Sequence, residues 1–126
     1  MAMKKTILIL DDREMFLYIA RSHLTPRGYN VLIAQDQSQF ISFIDRKIDL
    51  VLLDVNLGPE GNEGIVLLCL LQAKKPTLPI IMVSSEIEKR QACLDLGANY
   101  FFTKPVNYND LCRHIDFILR GPARKV

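Results

Sequence analysis

The 126-residue chain has no apolar stretch long enough to cross a bilayer; its longest unbroken run is Ile65 to Leu71, against the roughly 20 residues that a span needs. It also has no signal-peptide core. Ile7 to Leu10, which follows Met1-Ala2-Met3-Lys4-Lys5-Thr6, is too short and runs into two aspartates. Cysteine is scarce and odd in number: Cys69, Cys93 and Cys112 stand far apart. That excludes a disulfide framework or a zinc knuckle and fits reduced thiols packed on helices. His23 and His114 are isolated, with no cysteine or carboxylate at ligand spacing, and read as structural. Internal repeats, low-complexity tracts and interdomain linkers are also missing. These absences point to a cytoplasmic protein without membrane contact.

What is present suits one domain. An apolar content of 49% with 24% charged residues is too hydrophobic for disorder. A chain this long has a radius of gyration of roughly 14 Å and buries enough surface to need no staple. The net charge of +2 is misleading, because Lys4, Lys5, Arg120, Arg124 and Lys125 lie at the two ends. Between Thr6 and Leu119 there are 11 basic and 14 acidic residues, a balance of −3. That sign argues against direct nucleic-acid binding by this domain. The expected organisation is a domain over 4–120 and a basic tail or linker remnant over 121–126.

Five short apolar runs alternate with amphipathic stretches. Thr6–Leu10, Asn30–Ala34, Asp49–Leu53, Pro79–Val83 and Asn99–Phe102 lack polar alternation, as strands buried on both faces do. Helical faces are expected from Phe16, Ile19, Ala20 and His23, from Phe40, Ile41, Ile44 and Ile48, and from Leu111, Ile115, Ile118 and Leu119. Pro26 and Gly28 end the first helix and Gly97 caps a later one. Lys74-Lys75 before Pro76 marks another helix end, and Asn107 with Asp110 resembles a capping box. The alternation predicts an α/β three-layer sandwich of the flavodoxin-like (βα)5 type, with a parallel sheet of order 2-1-3-4-5. In such folds ligands bind outside the carboxyl ends of the strands.

That rule brings together Asp11-Asp12 after the first strand, Asp54 after the third, Ser84-Ser85 after the fourth and Thr103-Lys104-Pro105 after the fifth. Three close carboxylates repel one another. A hard divalent ion such as Mg²⁺, together with the Lys104 ammonium, relieves that repulsion. Carboxylates, cation, ammonium and hydroxyl make a phosphoryl-handling site, because phosphoryl transfer mainly needs positioning and charge neutralisation.

These residues resemble the receiver domain of two-component response regulators. The likeness runs from about Lys4 to Leu119. It rests on Asp11-Asp12, on Asp54 after Leu50-Val51-Leu52-Leu53, on Ser84 after Ile80-Ile81-Met82-Val83, on Leu96-Gly97-Ala98 and on Lys104-Pro105. The separations of 42 residues from Asp12 to Asp54, 30 to Ser84 and 20 to Lys104 are family-like. The resemblance implies that Asp54 accepts a phosphoryl group from a phosphohistidine of a sensor histidine kinase or phosphotransfer protein. It implies Mg²⁺ held by Asp11, Asp12, Asp54 and the Asn56 backbone carbonyl. Lys104 pairs with Asp54, Ser84 turns its hydroxyl to the phosphoryl group, Phe101 is the switch aromatic, and Lys104-Pro105 is cis. Such a domain regulates an output domain or partner and promotes only its own phosphorylation and dephosphorylation. Asn56 and Glu86, two residues beyond Asp54 and Ser84, flank the path of an attacking water and are expected to tune the phosphoryl lifetime.

Two departures stand out. The Val55–Gly64 loop carries Leu57-Gly58-Pro59 where the family has Met-Pro, is about two residues longer, and is expected to be mobile. Asn99 and Tyr100 replace an acidic pair that supports one dimer type, leaving Ile87, Phe101 and Phe102 as candidates for an output surface. A flavin-binding alternative fails because Asp11-Asp12-Arg13-Glu14 repels phosphate. A haloacid-dehalogenase-type phosphatase needs Asp-x-Asp after the first strand, whereas the two aspartates here are adjacent. An interaction-only receiver that is never phosphorylated remains the alternative.

Overall fold

Runs of Ile, Val and Leu favour a pleated backbone buried on both faces, and five of them form one sheet. The computed structural model describes residues 3–122; the expected tail positions 123–126, with Arg124 and Lys125, lie outside the described residues. Strands β1 (Thr6–Leu10), β2 (Asn30–Ala34), β3 (Leu50–Asp54), β4 (Ile80–Ser84) and β5 (Tyr100–Thr103) pair in parallel in the order β2-β1-β3-β4-β5. Between and after them run α1 (Glu14–Leu24), α2 (Gln37–Ile44), α3 (Glu63–Lys74), α4 (Arg90–Asp95) and α5 (Tyr108–Arg120). Short 3-10 turns at Thr25–Arg27 and Ile87–Lys89 follow α1 and precede α4. No helix of the described residues is long and apolar enough to cross a membrane.

Strand alternation divides the core into two layers. On one face Ile7, Ile9, Leu50, Leu52, Ile81 and Val83 pack against α1 and α5. On the other, Leu8, Leu10, Val51, Leu53, Ile80 and Met82 pack against α2, α3 and α4. Asn107 caps α5 by accepting from Asp110 N at 3.1 Å, as the sequence suggested. Gly28 and Gly97 hold φ of 95° and 109°, the left-handed region where a side chain is strained.

Several expectations need correction. Three strands start and end one residue later than read, because Pro79 has no N–H for a ladder and Asp49 uses its carboxylate to accept from Thr6 N at 2.7 Å. Asp54 and Ser84 are therefore the last strand residues rather than the first loop residues. The buried stripe of α1 is Phe16, Leu17, Ala20 and Leu24, with His23 exposed and its ring stacked on Tyr108 at 5.1 Å. Ile41 is exposed, and α2 ends before Ile48. Cys93 and Cys112 are buried and burial pushes their thiols up, but Cys69 lies on the outer face of α3 and packs nothing into the core.

Candidate functional site

Ile7, Ile9, Leu50 and Leu52 face α1 and α5, so the next residues in the same alternation, Asp11 and Asp54, emerge on that side of adjacent strands. Both are buried, while Asp12 is exposed. The three carboxylates offer oxygens that all lie within 4.8 Å of one another. Lys104, carried one residue past β5 by the bond from its N to Ser84 O at 2.9 Å, extends its ammonium into the group. The Lys104–Pro105 bond is cis, as expected.

Lys104 Nζ lies 2.7 Å from Asp11 Oδ2 and 3.8 Å from Asp54 Oδ2. Its tight partner is thus Asp11, where the family resemblance implied Asp54. Asp54 keeps only the looser pairing and a hydrogen bond from Asn56 N at 3.1 Å. Burial, reinforced by the neighbouring Asp11 charge, pushes its carboxyl from 3.8 up to about 6, against the pull of Lys104. The site is electrostatically unfinished: three acids stand together and one ammonium reaches two of them. Hard oxygen donors this close, with one acid held back from ionising, suit a small hard divalent cation. A cavity of about 90 Å³ opens beside them, lined by Asp12, Arg13, Asp54, Asn56, Ser85 and Lys104.

Ser84 does not line that cavity. It is wholly buried and continues the Ile80–Met82 alternation toward α3 and α4. Its Oγ accepts from Glu86 N at 3.0 Å and from Asn56 Nδ2 at 3.3 Å. Phe101, beside Met82 in the ladder, is half-buried against the same layer. Phe102 points the other way, its ring edge-on to His114 at 5.1 Å, and Ile87 is exposed. Phe101 and Phe102 thus face opposite layers from β5, which is an edge strand of the sheet. Asn99 helps hold the sheet together, its Oδ1 accepting from Ile80 N at 2.9 Å.

The loop after β3 carries hydrogen bonds of its own. Leu57 is buried, Gly61 N donates to Gly58 O at 3.1 Å and Glu63 N to Leu57 O at 3.2 Å. Gly64 is obligatory, since a Cβ there would meet Asp54 O at 2.0 Å. Lys89, which the sequence reading missed, completes the loop. Its Nζ lies 2.6 Å from Glu86 Oε2, 3.1 Å from Asn56 Oδ1 and 3.3 Å from Gly61 O. No motif signals such a residue; it shows only when two loops are seen side by side. Arg13 and Phe16 were also missed as site residues, whereas Ser85 lines the cavity as its place at the rim implied. Arg13 N donates to Asp11 Oδ1 at 2.8 Å, and Lys104 Nζ sits 4.9 Å from the centre of the Phe16 ring.

A family model described as the response regulator receiver domain matches residues 7–116. The transcriptional regulatory protein CpxR of Escherichia coli is 39% identical over 121 residues, covering 94% of this chain and 50% of CpxR. The chain thus spans about half the length of the curated relatives it matches. Among solved structures, a CheY-like receiver domain protein from Methanospirillum hungatei superposes with a TM-score of 0.83 at 30% identity, over 93% of this chain and 94% of that one. The receiver domain of NtrX from Brucella abortus gives 0.82 at 28%, over 92% and 99%.

Proposed function

The chain belongs to the response regulator receiver domain family, and from that premise we propose that it is a Mg²⁺-dependent phosphoaspartate switch with Asp54 as phosphoacceptor. The carrying observation is the trio of carboxylates within 4.8 Å, with the Lys104 ammonium reaching both Asp11 and Asp54. The carboxylates of Asp11, Asp12 and Asp54 and the backbone carbonyl of Asn56 would hold the ion. Bound Mg²⁺ supplies positive charge that offsets the carboxylate repulsion and the charge on the phosphoryl oxygens.

An Asp54 carboxylate oxygen attacks phosphorus as the P–N bond to a partner's imidazole breaks; the imidazole nitrogen takes a proton from solvent. Lys104 then faces a phosphoryl oxygen with its ammonium, which requires it to loosen its hold on Asp11. Ser84 leaves Asn56 Nδ2 and turns its hydroxyl toward the new charge. The space it vacates lies on the layer where Phe101 packs, so a local charge event biases an aromatic with two positions. Return occurs when a water oxygen attacks phosphorus and the bond to Asp54 breaks, past Asn56 and Glu86. The donor is a sensor histidine kinase or phosphotransfer protein in the cytoplasm, and the readout an output domain or partner.

Incubation with Mg²⁺ and acetyl phosphate followed by intact mass tests the reading. One phosphoryl adduct is expected, absent without Mg²⁺ and absent in Asp54→Asn. Wild type that acquires none, even from its kinase, is an interaction-only receiver.

A further inference from the structure

Lys89 is the last residue of the turn Ile87–Lys89, half-buried, with 28% of its side chain exposed. Its ammonium meets acceptors from two of the loops that border the cavity: Glu86 on its own loop, and Asn56 Oδ1 and Gly61 O on the loop after β3. Asn56 lines the cavity and Glu86 directly follows Ser85, which also lines it, so these are the two side chains expected to flank an attacking water. Occupying Asn56 Oδ1 also fixes the amide orientation, so that Nδ2 is the end presented to Ser84 Oγ.

We propose that Lys89 is a positioning residue that lengthens the life of the phosphorylated state by engaging the acceptor oxygens of Asn56 and Glu86. This rests on Asp54 being the phosphoacceptor. Hydrolysis needs a water oriented at phosphorus, its oxygen forming the new O–P bond while the Asp54 O–P bond breaks and a proton passes to solvent. A free carboxylate or amide oxygen beside that path orients the water or takes its proton. With Lys89 in place both oxygens are committed elsewhere. Its hold on Gly61 also keeps the glycine-containing loop against the site, narrowing the water's approach.

The test is loss of the adduct after acetyl phosphate is removed, followed by intact mass in Mg²⁺. Lys89→Met is expected to shorten the half-life about three- to tenfold, with Lys89→Arg restoring at least half of the lost lifetime. Lys89→Gln, which keeps length without charge, replaces Lys89→Met should the latter fail to fold. In an Asn56→Ala, Glu86→Ala background the Lys89→Met effect shrinks to less than twofold, a non-additivity that simple loss of packing does not produce. Wild-type lifetime in Lys89→Met, or an equal effect in that background, overturns the proposal while leaving Asp54 as acceptor. A wild type that takes up no phosphoryl group overturns both.

Discussion

At the amino ends of the strands, Asp116 of α5 accepts from Tyr29 Oη at 2.5 Å and pairs with Arg27, while Arg120 Nη1 stands 3.8 Å away. At the carboxyl ends, Asp11, Asp12 and Asp54 stand together, and the ammonium of Lys104 reaches Asp11 and Asp54. The first arrangement has more donors than acid. Arg120 also donates to Arg27 O at 2.7 Å and lies over the Tyr29 ring at 4.4 Å, so each group fixes another. The second has more acid than donors, and its central carboxyl is pushed up to about 6. One sheet thus carries a settled charge cluster that fastens α5 and an unsettled one whose surplus acid suits a cation and, on the proposed function, a phosphoryl group. Surplus charge marks the end proposed to do chemistry, because a balanced cluster has nothing left to bind.

Substitutions at the two ends should therefore diverge. The largest effect is at Lys104. Lys104→Met, with folding verified by circular dichroism, should slow adduct formation from acetyl phosphate by about 10²–10³-fold, the cost of losing one fixed charge at developing phosphoryl oxygens. Next is Asp54→Asn, which should stabilise the metal-free protein. The folded carboxyl, raised from 3.8 to about 6, holds its proton more tightly than the unfolded one does. Wild type keeps that stability below the unfolded value and loses it as pH rises through about 6. The displacement corresponds to about 3 kcal/mol at neutral pH. Urea melts should show the Asn variant more stable by about that amount at neutral pH, with the gain fading toward pH 4 or saturating Mg²⁺.

At the other end the sign reverses. Asp116→Ala leaves the buried Tyr29 hydroxyl without its acceptor and should cost about 2–3 kcal/mol, with no change of sign across the same pH range and with phosphoryl uptake retained. Tyr29→Phe, the smallest change, should cost about 1 kcal/mol. An Asp116 variant that gained stability, or an Asp54 variant that lost it, would erase the contrast.

The sequence reading located the rim well because each of its groups follows an apolar strand whose length and composition are unmistakable. Leu50 to Leu53 carry Asp54 to the edge and Ile80 to Val83 carry Ser84. The strand order was legible from the same alternation, and the cis Lys104–Pro105 bond only through the family resemblance. Partnerships across loops were not. Lys104 prefers Asp11 because that carboxylate lies closer, a matter of ångströms rather than spacing. Nothing in the sequence marks Lys89, whose partners lie on the loop after β3 as well as its own. The Arg27–Tyr29–Asp116–Arg120 cluster joins residues up to 93 positions apart that no motif links. Helix faces were misjudged where an apolar residue, such as Ile41, sits outside the buried stripe.

On the function proposed above, the surplus of acid at the rim makes Asp54 the phosphoryl acceptor. Peptide mass mapping of the protein after acetyl phosphate and Mg²⁺ tests it directly. A single phosphoryl group on the peptide containing Asp54 is predicted, lost on mild base treatment as a carboxyl phosphate is. A group found on Asp11, on Asp12 or on a hydroxyl, with Asp54 unmodified, would contradict it.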